Sequence, residues 1–324
     1  MASDFVRGLV GAGTTAALVF GSHFAPAVDT VFAEAARVGL RITSGLVVSD
    51  RLIREDLFTD PSRAREESLA LAARWHGVGR ARYAVTPRFS LSCTEELLAA
   101  CGDVLGAVPG AMLTSHVNEN VREIATVEEL CGCDYVTSYD RHGLVGPGTV
   151  LAHNVHPTDP ELALLAARGA AVAHCPSSNA ALGSGLFPLA RHRAHGVRVA
   201  MGSDVGAGTG FSLLKEGLSA YVAQQLLGDA GHPLTPTHLL HLATRAGADA
   251  LGLSAEIGDL SVGRRFDAQW IKPTPSTPLA VGLAHATDAA DALAKMFALG
   301  TPADVRSVWI DGELVSTPDP HLVG

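Results

Sequence analysis

The sequence predicts an α/β fold, a (β/α) barrel, and two observations carry that reading. Short apolar, β-branched runs alternate with Ala/Leu-rich helical stretches, at a spacing that suits a parallel sheet covered by helices. Polar residues then stand at the C-terminal ends of most of those runs: Arg88, His116, His153, His174 and Asp204. A barrel draws its site from several strand ends, whereas an open doubly wound sheet concentrates it at one switch point. An open sheet would also satisfy the strand count. No G-x-G-x-x-G follows the first run, so a dinucleotide site has no support.

In order, the strands are expected at 13–20, 41–48, 82–86, 110–116, 149–155, 170–175 and 198–204. They are apolar throughout, as strands buried on both faces are. Helices are expected between them at 27–38, 61–76, 94–106, 121–131, 159–168 and 186–195. That makes seven strands, one fewer than a closed barrel needs. After residue 205 the pattern changes to helical stretches at 212–228 and 235–250, then a Gly-punctuated segment and a short strand at 266–271. Residues 277–303 read as helical, and "VRSVWIDGELVS" (305–316) carries the Asp-Gly signature of a hairpin. These last strands make a small β element beside the barrel.

The 324 residues, 47% of them hydrophobic, can bury a sizeable core. A net charge of −9 with no Lys/Arg run argues against a nucleic-acid partner. No uninterrupted apolar stretch is long enough to span a membrane, and the N-terminal stretch lacks the basic start of a signal peptide. The five cysteines, 93, 101, 131, 133 and 175, are scattered and include no C-x-x-C, so they read as reduced thiols of a cytosolic protein.

Three strand ends carry metal and proton chemistry together. "SHVNEN" places His116 at a strand end and Glu119 just beyond it; an imidazole is a ready zinc ligand, and a nearby carboxylate can carry protons. His153 ends "VLAH" and Asp204 ends "VAMGSD". Singly they have plain structural readings: a polar loop, a hydrogen-bonded histidine, a helix N-cap. Together, two histidines and an aspartate on separate strand ends would converge on one cavity and suit a zinc ion with an open position. Arg88 and Phe89 at the mouth of the third strand offer planar donors and a stacking face for a flat, carbonyl-bearing heterocycle, or a salt bridge and a core ring. "AHCPSSNAAL" reads as a structured loop on the pocket wall, with His174 a lesser candidate. His192, His195, His238 and His241 read as surface or core histidines.

In order and spacing, "RYAVTPRFSLSC", "SHVNEN", "LAHNVH", "AHCPSSNAALGSG" and "MGSDVGAG" resemble the guanine deaminases of the amidohydrolase superfamily. Pro87-Arg88-Phe89-Ser90-Leu91 is the most specific of these matches. The resemblance runs from about residue 10 to about 315. It implies His116 and Asp204 as ligands of one zinc, or another divalent metal. Glu119 would be the proton carrier and His153 a contact to water or substrate. Asp204 would also activate the water, and Arg88 and Phe89, with His116, would face the purine. The implied reaction is attack of zinc-activated water on the purine C2, giving xanthine and ammonia, in a cytoplasmic homodimer. Other aminated heterocycles (pterin, s-triazine, cytosine) are the alternative substrates. The family also opens with β-sandwich strands and a first barrel strand ending in His-x-His, and no His-x-His precedes residue 82 here. The resemblance therefore implies an incomplete barrel over 1–265, missing its first strand, and a partial sandwich over 266–324 that includes the barrel-packing 277–303. A chain of that kind is a fragment from a mis-assigned start, of reduced activity, or a truncated non-catalytic paralogue. His23, a lone histidine on "FGSHFAP", could approach the pocket without replacing such a pair.

Overall fold

The computed structural model of the chain describes residues 1–316, so residues 317–324 of the expected C-terminal element lie outside the described residues. Helix α1 (Ala2–Gly11) leads into β1 (Ala16–Val19), and α2 (Ala25–Val38) into β2 (Arg41–Ser44) and β3 (Val47–Val48). Then α3 (Pro61–Trp75) precedes β4 (Ala81–Pro87), and α4 (Glu95–Ala107) precedes β5 (Met112–Val117). Helices α5 (Val121–Cys131) and α6 (Tyr135–Asp140) lead to β6 (Thr149–His153), and α7 (Asp159–Arg168) to β7 (Ala171–His174). Helices α8 (Pro176–Ala181) and α9 (Leu189–Ala194) lead to β8 (Arg198–Met201). The sheet runs β1-β2-β4-β5-β6-β7-β8, every pair parallel, with β3 joining β4. Among the described residues no pairing joins β1 to β8.

Local chemistry explains the alternation. Thr158 and Glu161 form a reciprocal capping box at the start of α7, and Gly169 ends it in the left-handed conformation. Asp60 accepts from the Ser62 and Arg63 N–H groups at the start of α3, where Pro61 occupies the first turn. The strands bury Ile42, Leu113, Leu151 and Val172, and the helices press Phe32, Leu97, Leu162 and Leu165 against them. Trp75 stacks on Phe32 with ring centroids 5.5 Å apart and donates its indole N–H to Asp29.

Beyond β8, α10 (Leu213–Leu226), α11 (Pro236–Ala243) and α12 (Arg245–Ala250) complete the barrel side. Strand β9 (Ala268–Ile271), helices α13 (Pro278–Ala284) and α14 (Ala289–Leu299), and strands β10 (Val305–Ile310) and β11 (Glu313–Ser316) follow. The last three strands form an antiparallel sheet ordered β11-β10-β9, against which α1 packs. Asp311 and Gly312 both take positive φ, +56° and +82°, the geometry of a tight two-residue hairpin. Helix α14, in the 277–303 segment, packs on α10 and α11. The expected boundary at 265/266 falls in the turn-rich stretch before β9. No helix among the described residues is long and apolar enough to cross a membrane.

Four expectations need correction. The single strand at 41–48 is two, split at Gly45, where a Cβ would lie 1.7 Å from the Ala84 carbonyl oxygen. The helix at 186–195 is shorter, and the "PSSNAA" thought to be loop is itself the helix α8. The helix at 235–250 breaks at Thr244.

Candidate active site

The C-terminal ends of β5, β6 and β8 bring His116, His153 and Asp204 together, with Glu119 beside them. In register, Val117 lies opposite His153 and His116 opposite Ala152. Strict alternation would therefore turn the two imidazoles to opposite faces. His153 takes φ +73°, which breaks the alternation, and the rings stack with centroids 5.3 Å apart. Asp204 is likewise left-handed at φ +46°. His153 Nε2 stands 3.7 Å from Glu119 Oε2 and 3.9 Å from Asp204 Oδ2. The four expected residues thus face one space.

Each side chain is held in place by a hydrogen bond. His116 Nδ1 donates to the Arg88 carbonyl oxygen at 2.7 Å, which leaves the Nε2 lone pair free. His153 Nδ1 donates to Asn179 Oδ1 at 2.9 Å. Asp204 Oδ2 accepts from Ser178 Oγ at 2.6 Å, and Glu119 Oε1 from Ser184 Oγ at 3.0 Å. The neighbouring Ser177 donates both N–H and Oγ–H to buried Glu216. So α8 supplies three consecutive clamps. Only the polar density of "PSSN" hinted at this, because the partners, Glu216 of α10 among them, are far apart in sequence.

Arg88 and Phe89 reach the same mouth. The guanidinium lies over the Phe89 ring at 4.5 Å, so one face of that ring is covered by its neighbour. Phe20 stands edge-on to His116 at 4.6 Å, and Phe89 at 6.0 Å. His23 Nε2 is 3.2 Å from Ser49 Oγ, and burial, then the Arg88 charge, lowers its pKa. His174 is buried, stacked 4.3 Å from Phe187, and turned away from any protein hydrogen-bond partner. Burial, then the nearby His153, push His116 down to about 4, so its ring is neutral at physiological pH, the form that ligates metals. Burial raises the Glu216 carboxyl, with Asp204 adding to the effect. All five cysteines are free.

The donor set fits a divalent metal in kind. Neutral His116 offers Nε2, Asp204 offers its second carboxylate oxygen, and buried His153 Nε2 has no protein partner. In number it is short: among the described residues no three His, Cys, Asp or Glu side chains are close enough to hold one ion.

A curled parallel sheet with imidazoles and carboxylates gathered at its C-terminal strand ends defines a barrel hydrolase. The chain belongs to the amidohydrolase family, whose model matches residues 1–315. It is 57% identical to the probable guanine deaminase of Deinococcus radiodurans over 97% of this chain and 72% of that protein. It is 34% identical to the guanine deaminase of Escherichia coli, with the same coverage. The solved Escherichia coli enzyme superposes with a TM-score of 0.95 over 98% of this chain and 75% of that one. A guanine deaminase from C. acetobutylicum, solved with guanine in its active site, is 25% identical with a TM-score of 0.89, over 97% of this chain and 74% of that one. Family membership implies a divalent metal and a hydrolase acting on C–N bonds.

Proposed function

We propose that this chain carries the hydrolytic deamination of guanine to xanthine and ammonia. The observation that supports it most is the convergence of Glu119, His153, Asp204 and His116 on one space beside Arg88 and Phe89. The relatives named guanine deaminases supply the substrate.

Arg88 presents hydrogen-bond donors to the purine, and the Phe89 ring bounds it. Glu119, braced by Ser184, is placed to take a proton from the attacking water and deliver it to the purine ring. His153, with its Nε2 toward both carboxylates, orients that water. Ser178 keeps Asp204 turned toward the same point. His116 and Asp204 would hold the metal, taken as zinc, which when bound lowers the pKa of a coordinated water to roughly 7. The same reading takes a cytoplasmic homodimer, which gel filtration and cell fractionation test.

The decisive assay supplies the chain with zinc and follows ammonia release from guanine, cytosine, a pterin and an s-triazine. Release from guanine alone, with xanthine formed, is the expected result. A zinc-loaded chain that ignores guanine but attacks another of the four would overturn the assignment, and one inert on all would remove the activity from this chain.

A further inference from the structure

The loop that carries Arg88 and Phe89 is tied to a helix behind the site. Tyr139 of α6 is fully buried, and its hydroxyl is the centre of a knot. It accepts from the Ser90 backbone N–H at 3.0 Å, donates to the His116 carbonyl oxygen at 2.8 Å, and lies 2.8 Å from Ser115 Oγ. Ser115 Oγ donates in turn to the Pro87 carbonyl oxygen at 2.8 Å. The adjacent Ser138 Oγ, 2.6 Å from Ser90 Oγ, adds a second tie to the same turn. With the His116–Arg88 bond, the chain on both sides of Arg88-Phe89 is fastened to β5 or α6.

We propose that Tyr139 is a positioning residue for substrate recognition, locking the Arg88-Phe89 pair and His116 into one rigid unit. It touches neither substrate nor metal. Its oxygen joins the recognition loop at Ser90 to the strand that bears His116, beside the ties that Ser115 and His116 make to Pro87 and Arg88. Burial makes the junction strict: without the hydroxyl, the Ser90 N–H loses its acceptor and cannot turn to water without moving the loop. Because His116 keeps its own bond to Arg88, the damage should fall on substrate binding more than on turnover.

The proposal rests on the guanine deaminase reading for its kinetic arm, and its structural arm is independent of it. The variants are Tyr139→Phe and Ser138→Ala in the full chain. Tyr139→Phe should speed amide exchange in peptides covering 87–92 while peptides of β7 and β8 stay protected. In the zinc-supplied enzyme, the guanine KM should rise about tenfold with kcat within about threefold of the parent, the loss of one buried hydrogen bond expressed in binding. Ser138→Ala, the gentler change, should move both readouts the same way by less, and it carries the test should Tyr139→Phe fail to fold. Unchanged exchange at 87–92, or a fall in kcat at constant KM, would overturn the proposal. If the parent does not act on guanine, the functional reading falls and the exchange result alone decides this one.

Discussion

Four residues at the candidate site hold backbone conformations that side chains other than glycine avoid. Asn118, His153, Asn154 and Asp204 take φ of +48°, +73°, +47° and +46°. Such positions cost on the order of 1–3 kcal/mol each and persist where surroundings over-determine them. Those surroundings are visible: Asn118 Nδ2 donates to both Asn154 Oδ1 and Glu161 Oε1, and Ser178 and Asn179 hold Asp204 and His153. Aim is therefore bought with strain. Two substitutions test its use. Glu119→Gln keeps size and its bond to Ser184 but cannot carry a proton, so guanine turnover should fall at least about a hundredfold while metal content and melting temperature hold. Equal turnover in parent and variant would remove Glu119 from the proton path. Ser178→Ala frees Asp204 Oδ2 from a charge-assisted bond, and turnover should drop about tenfold with the guanine KM unmoved. A variant indistinguishable from the parent would reduce Ser178 to packing.

At the scale of elements, Gly45 has the sharpest requirement. It separates β2 from β3 and lets the chain pass the Ala84 carbonyl oxygen, 1.7 Å from where a Cβ would sit. Backbone cannot yield as a flexible side chain does, so Gly45→Ala should destabilise by about 3 kcal/mol or more, read as a urea midpoint shift. A midpoint within error of the parent would show that β3 moves freely. That break was illegible in "RITSGLVV", because its cause lies on β4, 39 residues away. The seven strands themselves were legible, since each is an apolar run and most carry a polar end. The convergence of His116, His153 and Asp204 followed from the same fact. Helix α6 was missed because six residues, four of them buried, show no amphipathic period. The clamps at Ser178, Asn179 and Tyr139 were missed with it: a short hydroxyl or amide in sequence does not say which distant strand it meets.

Across the whole molecule, the buried histidines set how the fold meets acid. His174, Phe187 and His192 form a stack with successive centroids 4.3 Å apart, none of the three exposed to solvent by more than 2%. His192 is fixed as the neutral tautomer: Nδ1 donates to the Pro188 carbonyl oxygen, and Nε2 accepts from Asn154 Nδ2. Burial pushes His192 down to about 4, and burial followed by the charge of His192 pushes His174 down to about 3, both from 6.5. Their folded pKa values lie below the unfolded one, so below pH 6.5 the unfolded chain binds protons that the folded chain refuses. Their contribution is complete above 6.5 and declines as pH falls toward 4 and 3, a loss of about 3 kcal/mol for His192 alone. Burial raises Glu216 and Glu123, and these work in the opposite sense, since the folded chain protonates them first as pH drops. A difference measurement cancels them. Gln at 192 can still accept from Asn154 and cannot be protonated there. His192→Gln should therefore be less stable than the parent at pH 7.5 by about 1–3 kcal/mol through lost stacking and packing. Its urea-derived stability should fall less steeply between pH 6.5 and 4.5, by up to one proton's worth of slope. Parallel pH profiles for the two proteins would mean that His192 is charged in the fold, and that its Nε2 does not accept from Asn154.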